Sequence, residues 1–196
     1  MIVREKDFYV KSASIAVPIA MQSLITIGVN MMDTIMLGTM GETALSASSL
    51  ANQFISIYQV CCMGIGMGAN VLTSRFWGKQ DLVSLKKTVT IMLRLSVVFA
   101  TMFAAATLLI PGAIMRLFTA DEAIIYEGTR YFEWSILSYY FLGISLTLSL
   151  VLRSVGRATV PLMASIVAFF GNIFFNYMFI FGKFGAPRME VAGAAL

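Results

Sequence analysis

The sequence predicts an all-α membrane protein in which apolar helices cross the bilayer several times and pack as a bundle. Hydrophobic residues make up 59% of the chain and charged residues only 12%, whereas about 25% of the residues in a typical soluble domain are charged. The charged residues also leave long uncharged runs between them, and about 20 apolar residues are enough to cross a bilayer as a helix. A soluble domain of 196 residues could not bury this much apolar surface.

Five uncharged runs are long enough to be membrane spans, at residues 12–32, 43–74, 95–115, 134–152 and 158–182. With the turn signals between these runs taken into account, we predict helices over residues 12–37, 44–74, 89–114, 124–152 and 159–182, and a sixth helix that begins near residue 190. The strands of a β-barrel would alternate polar and apolar residues over about 10 positions, and these runs do not. The prediction is therefore a polytopic helix bundle of five spans and the start of a sixth.

The positions of Lys and Arg predict the orientation of the bundle, because cytoplasmic loops are enriched in these residues. One set of predicted loops holds nine of them: Arg4, Lys6, Lys11, Arg75, Lys79, Lys86, Lys87, Arg153 and Arg157. The other set holds four, which are Arg116, Arg130, Lys183 and Arg188, while Arg94 is assigned to the third helix. The chain is thus expected to be a multi-pass protein of the cell membrane with a cytoplasmic N-terminus. The lipid bilayer, and not nucleic acid, is the partner that this segregated charge indicates.

The first predicted helix contains a carboxylate, Asp33, which follows 21 uncharged residues and precedes another eight. A charged Asp at the centre of a membrane helix costs roughly 2.5–3.5 kcal/mol on insertion scales, and such residues are usually functional. Gln22, Thr26 and Asn30 precede it at spacings that place all four side chains on one face of the helix. Pro18 lies one turn before Gln22 and gives this helix a place to bend.

Two further helices carry polar side chains at helical spacing. The second has Asn52 and Gln59, and the fifth has Ser165, Asn172 and Asn176. We therefore predict a substrate cavity lined by Gln22, Thr26, Asn30, Asn52, Gln59 and Ser165. The alternative for any single hydroxyl or amide is that it only joins two membrane helices through a hydrogen bond.

The depth of these residues places three of them together. Asp33 lies about 6 Å below the outer end of the first helix, and Asn176 lies about 9 Å below the outer end of the fifth, at a rise of about 1.5 Å per residue. Asn172 is one turn deeper. If the two helices are neighbours, the carboxylate and the two amides meet and can bind a proton or a hard cation such as sodium. No other metal site is predicted, and the chain contains no His.

Several segments resemble the multidrug and toxic compound extrusion (MATE) transporters. They are "MMDTIMLGTMGETALSASSLANQF", "GMGANVLTSRFWGKQD", "LRSVGRATVPLM" and "NIFFNYMFIFGKFGAP…VAGAAL", and they cover almost the whole chain in the family's order. The resemblance implies a fold of two six-helix lobes and export of cationic amphiphilic compounds in exchange for protons or sodium. This chain is similar to the N-terminal lobe alone, so a C-terminal lobe is an expected partner.

The resemblance also implies roles for four residues. Asp33 matches the acid of the family's first helix and Pro18 its bending proline, while Asn172 and Asn176 match a pair on the fifth helix. In some members the second residue of that pair is Asp; because it is Asn176 here, proton coupling is at least as well supported as sodium coupling. No cofactor is expected beyond the coupling ion. Glu190 occupies a position where the family usually has a small residue, and nothing in the sequence explains this difference.

The function predicted from the sequence is secondary-active export of cationic drugs or metabolites. One alternative is a flippase for lipid-linked oligosaccharides, although such proteins tend to line the cavity with basic residues. Another is a structural helix bundle that does not transport. An intramembrane enzyme is disfavoured, because the spans contain neither a nucleophile–base pair nor a metal cluster. The adjacent Cys61 and Cys62 are interpreted as small buried apolar residues.

Overall fold

The structure, a computed structural model, describes residues 6–39 and 41–181, and all of its regular elements are α-helices. They are α1 (Lys6–Gly38), α2 (Glu42–Gly78), α3 (Leu82–Leu109), α4 (Pro111–Arg116), α5 (Glu122–Ser154) and α6 (Thr159–Phe181). All but the short α4 are long and apolar enough to cross a membrane. The predicted all-α bundle of five spans is therefore confirmed. The start of the sixth predicted helix, near residue 190, lies outside the described residues.

Three of the helices, α1, α2 and α5, extend further at both ends than the uncharged runs that predicted them, because a helix can continue through charged residues. The largest difference concerns the helix expected over 89–114. It begins instead at Leu82, where the Asp81 side chain caps it by accepting a hydrogen bond from the Ser84 backbone N–H at 3.0 Å. It ends at Leu109, and Pro111 opens the separate α4. Proline lacks an N–H donor and clashes with the preceding helical turn, so it ends one helix and suits the first position of the next.

A core of three helices, α2, α3 and α5, holds the largest part of the packing. Tyr58 and Cys62 of α2 meet Ala100 and Ala104 of α3 and Tyr139 of α5 in one buried cluster. Small residues on α3 allow the helix backbones to approach closely, as in other membrane bundles. A second cluster, nearer to the start of α5, includes Ile114 and Met115 of α4.

The remaining two spans, α1 and α6, pack mainly against each other, and α1 makes far fewer contacts with α2 than with α6. A cleft lined by polar side chains therefore remains between α1 and the α2–α3–α5 core. The faces of the helices that point away from the bundle are apolar, and Val71 of α2 and Val167 of α6 are 69% and 72% exposed there. Exposed apolar side chains of this kind suit a lipid environment.

Candidate functional site

The candidate site begins with a contact between α1 and α6, far apart in sequence. The Asn176 Nδ2 donates a hydrogen bond to Asp33 Oδ1 at 2.6 Å, and it also lies 3.2 Å from Asn172 Oδ1, which accepts from it. Asn176 is only 5% exposed, and Asp33 is half-buried. The three side chains that the depth argument placed together are thus in contact, because the fifth span is indeed the neighbour of the first.

Asp33 also lines a cavity between α1 and α2, which we call the outer cavity, with a volume of about 380 Å³. On α1 its walls are formed by Thr26, Asn30, Asp33, Thr34 and Leu37. On α2 they are formed by Leu45, Ser48, Ser49, Asn52, Ile55, Ser56 and Gln59, and Tyr131 of α5 closes one side. Among these lining residues Asp33 is the one that carries a charge. The outer cavity is therefore polar, acidic and large enough for a ligand of moderate size.

Four of the six residues predicted to line a cavity lie in this one, namely Thr26, Asn30, Asn52 and Gln59. Gln22 lies one turn before Thr26 on α1, where its Nε2 donates a hydrogen bond to Ser165 Oγ at 3.0 Å. Ser165 therefore joins α6 to α1, which is the helix-joining alternative that the sequence left open. Pro18 is half-buried within α1, which continues through it from Lys6 to Gly38.

A second cavity of about 240 Å³, which we call the inner cavity, adjoins the first at Thr26. Its polar lining residues are Gln22, Ser23, Thr26, Ser145, Ser149 and Arg153. The Arg153 Nη2 donates to Gln22 Oε1 at 2.6 Å, while its Nε is buried and has no hydrogen-bond partner. The charge count had treated Arg153 only as a marker of orientation. The signal that was missed is the spacing of Ser145, Ser149 and Arg153, each four residues apart and hence on one face of α5.

Tyr131 is a further residue that the sequence analysis missed. Its hydroxyl donates to Asn52 Oδ1 at 3.2 Å across the outer cavity, and the ring belongs to the buried cluster next to α4. Tyr131 lies between Arg130 and Glu133, before the uncharged run of α5, so the sequence gives no sign that it faces a cavity, and only the packing of α5 on α2 reveals this role. The contact fixes the orientation of Asn52 beside the space that Asp33 faces.

The donor set of the site suits a small cation more than a transition metal. Within the part of the chain that the structure describes, no cluster of three or more His, Cys, Asp or Glu side chains is close enough to bind a metal ion. Asp33 and the amide oxygen of Asn172 supply oxygen atoms, which hard cations prefer, and the carboxylate can also take a proton. Cys61 is half-buried and Cys62 is buried, and neither forms a disulfide.

Comparison with known proteins identifies the family. The model of the MatE family matches residues 18–178, a segment that contains Pro18, Asp33, Arg153 and Asn176. This chain belongs to the MatE family. The resemblance found in the sequence is therefore confirmed, and the polar cleft is a feature of a MatE chain.

Curated relatives of this MatE chain are named as probable multidrug resistance proteins. The NorM protein of Thermotoga maritima is 28% identical over 183 residues, and that of Agrobacterium fabrum is 22% identical over 191 residues. Both alignments cover 93% of this chain but 39% of the relative. The chain thus spans about two-fifths of the length of the curated relatives that it matches, which agrees with its interpretation as an N-terminal lobe.

Solved structures of MATE transporters share the fold. A MOP superfamily transporter from Pyrococcus furiosus superposes with a TM-score of 0.84 at 18% identity, covering 94% of this chain and 40% of the other. A MATE structure in the bent conformation gives a TM-score of 0.82 at 19% identity, with 94% and 41% covered. The MatE chain is therefore a multi-pass membrane protein with the fold of one transporter lobe, and its relatives are transporters and not enzymes.

Proposed function

We propose that this chain is the N-terminal lobe of a secondary-active antiporter of the cell membrane, which exports cationic amphiphilic drugs or metabolites in exchange for protons. The observation that carries the proposal is that Asp33, the acidic residue of the outer cavity, contacts Asn176 of α6 at 2.6 Å. A carboxylate in that position attracts an organic cation while it is ionised and loses this attraction when it is protonated. Substrate and proton therefore compete for one group, which is the requirement for exchange.

We favour the proton over sodium as the coupling ion because Asp33 faces an N–H donor, the amide of Asn176. Asn176 directs its Nδ2 toward the carboxylate, so it satisfies the carboxylate as a hydrogen-bond donor and does not add an oxygen ligand. A sodium ion would need the amide turned by half a rotation to present its oxygen. Asp33 would then be the single charged ligand, because Asn occupies the second position of the pair on α6.

Binding is the appropriate measurement for this chain, because alternating access requires one lobe to move against another around a shared site. The purified chain in lipid nanodiscs would be titrated with a fluorescent lipophilic cation such as ethidium. We expect Asp33→Asn to weaken binding by about tenfold or more, corresponding to roughly 1.4 kcal/mol or above. The matched control is Glu122→Gln, which removes an exposed carboxylate at the start of α5 outside both cavities.

Acidification is expected to release the dye from the unmodified chain and to have little further effect on Asp33→Asn. Release by sodium chloride at constant pH, with no effect of potassium chloride, would assign sodium instead of the proton as the competing ion. Equal dye affinity of Asp33→Asn and the unmodified chain would contradict the proposal. It would favour a structural helix bundle in which Asp33 only joins α1 to α6.

A further inference from the structure

The inner cavity is lined by a positively charged side chain, Arg153, at the end of the cleft opposite to Asp33. Arg153 reaches from the last turn of α5 to Gln22 of α1, and Gln22 in turn donates to Ser165 of α6. Gln22 therefore connects the guanidinium of α5 to both α1 and α6. Gln22 and Asp33 are separated by 11 residues on α1, so the two ends of the cleft are about 16 Å apart along the helix axis.

The charge of Arg153 is not neutralised by a carboxylate in the described part of the chain. The ion pairs found between residues 6–39 and 41–181 are Arg116 with Glu122 and Arg130 with Glu127, both away from this cavity. Gln22 is a neutral partner and accepts one hydrogen bond, whereas a guanidinium has five N–H donors. Ionisable groups inside a membrane protein are usually paired, or else they mark a ligand pathway.

The groups around Arg153 are those that recognise an oxyanion. Ser145, Ser149 and Arg153 follow one face of α5, so serine hydroxyls line the same space as the guanidinium. Ser23 lies opposite on α1, where its hydroxyl donates to the Ile19 carbonyl oxygen. Arginine binds carboxylates in a planar, two-pronged geometry, and charge-assisted hydrogen bonds of this kind are about twice as strong as neutral ones. The volume of about 240 Å³ is sufficient for a carboxylate and part of the ring that carries it.

We propose that the inner cavity is an anion subsite that binds the carboxylate of an exported compound, so that the cleft accepts amphoteric ligands as well as simple cations. The basic group of such a ligand lies toward Asp33 and its acidic group lies against Arg153, Ser149 and Gln22. This inference rests on the proposed function, since it assigns a second recognition site within the same cleft.

The test compares two dyes that differ only at the acidic group, a rhodamine with a free carboxylate and its methyl ester, on the purified chain in nanodiscs. In Arg153→Gln we expect the affinity for the free carboxylate to fall about tenfold and the affinity for the ester to stay the same or rise. Ser149→Ala, a smaller change, should weaken binding of the free carboxylate about threefold. The control is Arg157→Gln, which removes an exposed positive charge four residues away and should leave both affinities unchanged.

Several results would overturn this assignment. If Arg153→Gln and Ser149→Ala change the binding of both dyes equally, Arg153 supports the fold or repels cations and does not recognise the acid. If phosphatidylglycerol, but not phosphatidylcholine, displaces the free-carboxylate dye, the site belongs to a lipid phosphate and not to a substrate. If the ester binds through Asp33 while the free carboxylate gains nothing from Arg153, only this inference fails. If neither dye binds, the proposed function fails together with it.

Discussion

Tyr58 of α2 donates its hydroxyl hydrogen to the backbone carbonyl oxygen of Tyr139 of α5 at 2.8 Å, in the centre of the three-helix core. The approach is possible because Gly143, one turn further along α5, has no side chain. A Cβ atom at Gly143 would overlap Tyr58 Oη and Ser96 Oγ. The close packing of α2, α3 and α5 therefore depends on this glycine.

Gly143→Ala is expected to destabilise the chain by about 1–3 kcal/mol, the usual cost of overpacking a core, because the Tyr58 hydroxyl cannot move away without losing its hydrogen bond to the Tyr139 carbonyl oxygen. The change would be measured as a lower midpoint of thermal unfolding in detergent. Gly64→Ala is the matched control, since its added Cβ meets nothing within 4 Å and alanine favours the helix by up to about 1 kcal/mol. Equal midpoints for the two variants would show that α5 does not pack on α2 as described.

The contact between Asp33 and Asn176 predicts a cross-link that does not depend on transport. With Cys61 and Cys62 replaced by Ala, the pair Asp33→Cys and Asn176→Cys should be joined by a short thiol–thiol cross-linker in native membranes. After proteolytic cleavage in the turn at residues 79–81, cross-linked halves remain together on a denaturing gel. The side chains meet at 2.6 Å, so efficient joining is expected.

The control for this cross-link pairs Asn176→Cys with Ile35→Cys, which is two residues further along α1 and 59% exposed on another face. That pair should react poorly. Comparable yields for the two pairs would mean that α1 is rotated relative to α6, and Asp33 would then not face Asn176.

The charge distribution predicts that the turn at residues 79–81 is cytoplasmic and that the start of α2 is external. In the background without native cysteines, Lys79→Cys and Thr43→Cys should react with a membrane-impermeant maleimide from opposite sides of the cell membrane. Thr43 is exposed at the start of α2, and it is preferable to Gly41, whose φ of 116° favours glycine. Labelling of both positions from the same side would disprove the orientation.

The start of α3 should weaken at low pH. Hydrogen bonds from the side chain and backbone of Ser84 hold the pKa of the Asp81 carboxyl below its ordinary value of 3.8. Because the folded-state pKa is the lower one, the cap stabilises α3 fully above the unfolded pKa, and its contribution is lost as the pH falls through the folded pKa. Amide hydrogen exchange in the first turn of α3 should therefore speed up, beyond its intrinsic pH dependence, at acid pH.

Asp81→Asn keeps the helix cap but removes its negative charge, because asparagine also caps helices but does not titrate in this range. This variant should keep the first turn protected and lose the additional acid sensitivity. The same acid sensitivity in Asp81→Asn and in the unmodified chain would assign the effect to another group.

The sequence by itself determined the number of spans and the three residues that meet between α1 and α6. Spans follow from the length of uncharged runs, since a bilayer demands a fixed thickness of apolar helix. Asp33, Asn172 and Asn176 could be placed together because a helix converts sequence distance into depth at a constant rise. Thr26, Asn30, Asn52 and Gln59 followed from their periodic spacing, because polar side chains at helical intervals share one face. Their roles in transport stay predictions.

The tertiary structure alone decided which helices are neighbours and which partners isolated polar side chains such as Arg153 contact. The spans are apolar on nearly every face, so hydropathy contains little information about whether α1 packs on α2 or on α6. Arg153 near the end of α5 has the same sequence signature as any arginine that marks a cytoplasmic loop. Only the contact with Gln22 of α1 shows that the Arg153 guanidinium lies within the cleft. Side-chain contacts between residues more than 130 positions apart depend on the rotation of each helix about its axis, and that rotation is fixed by packing across the whole bundle.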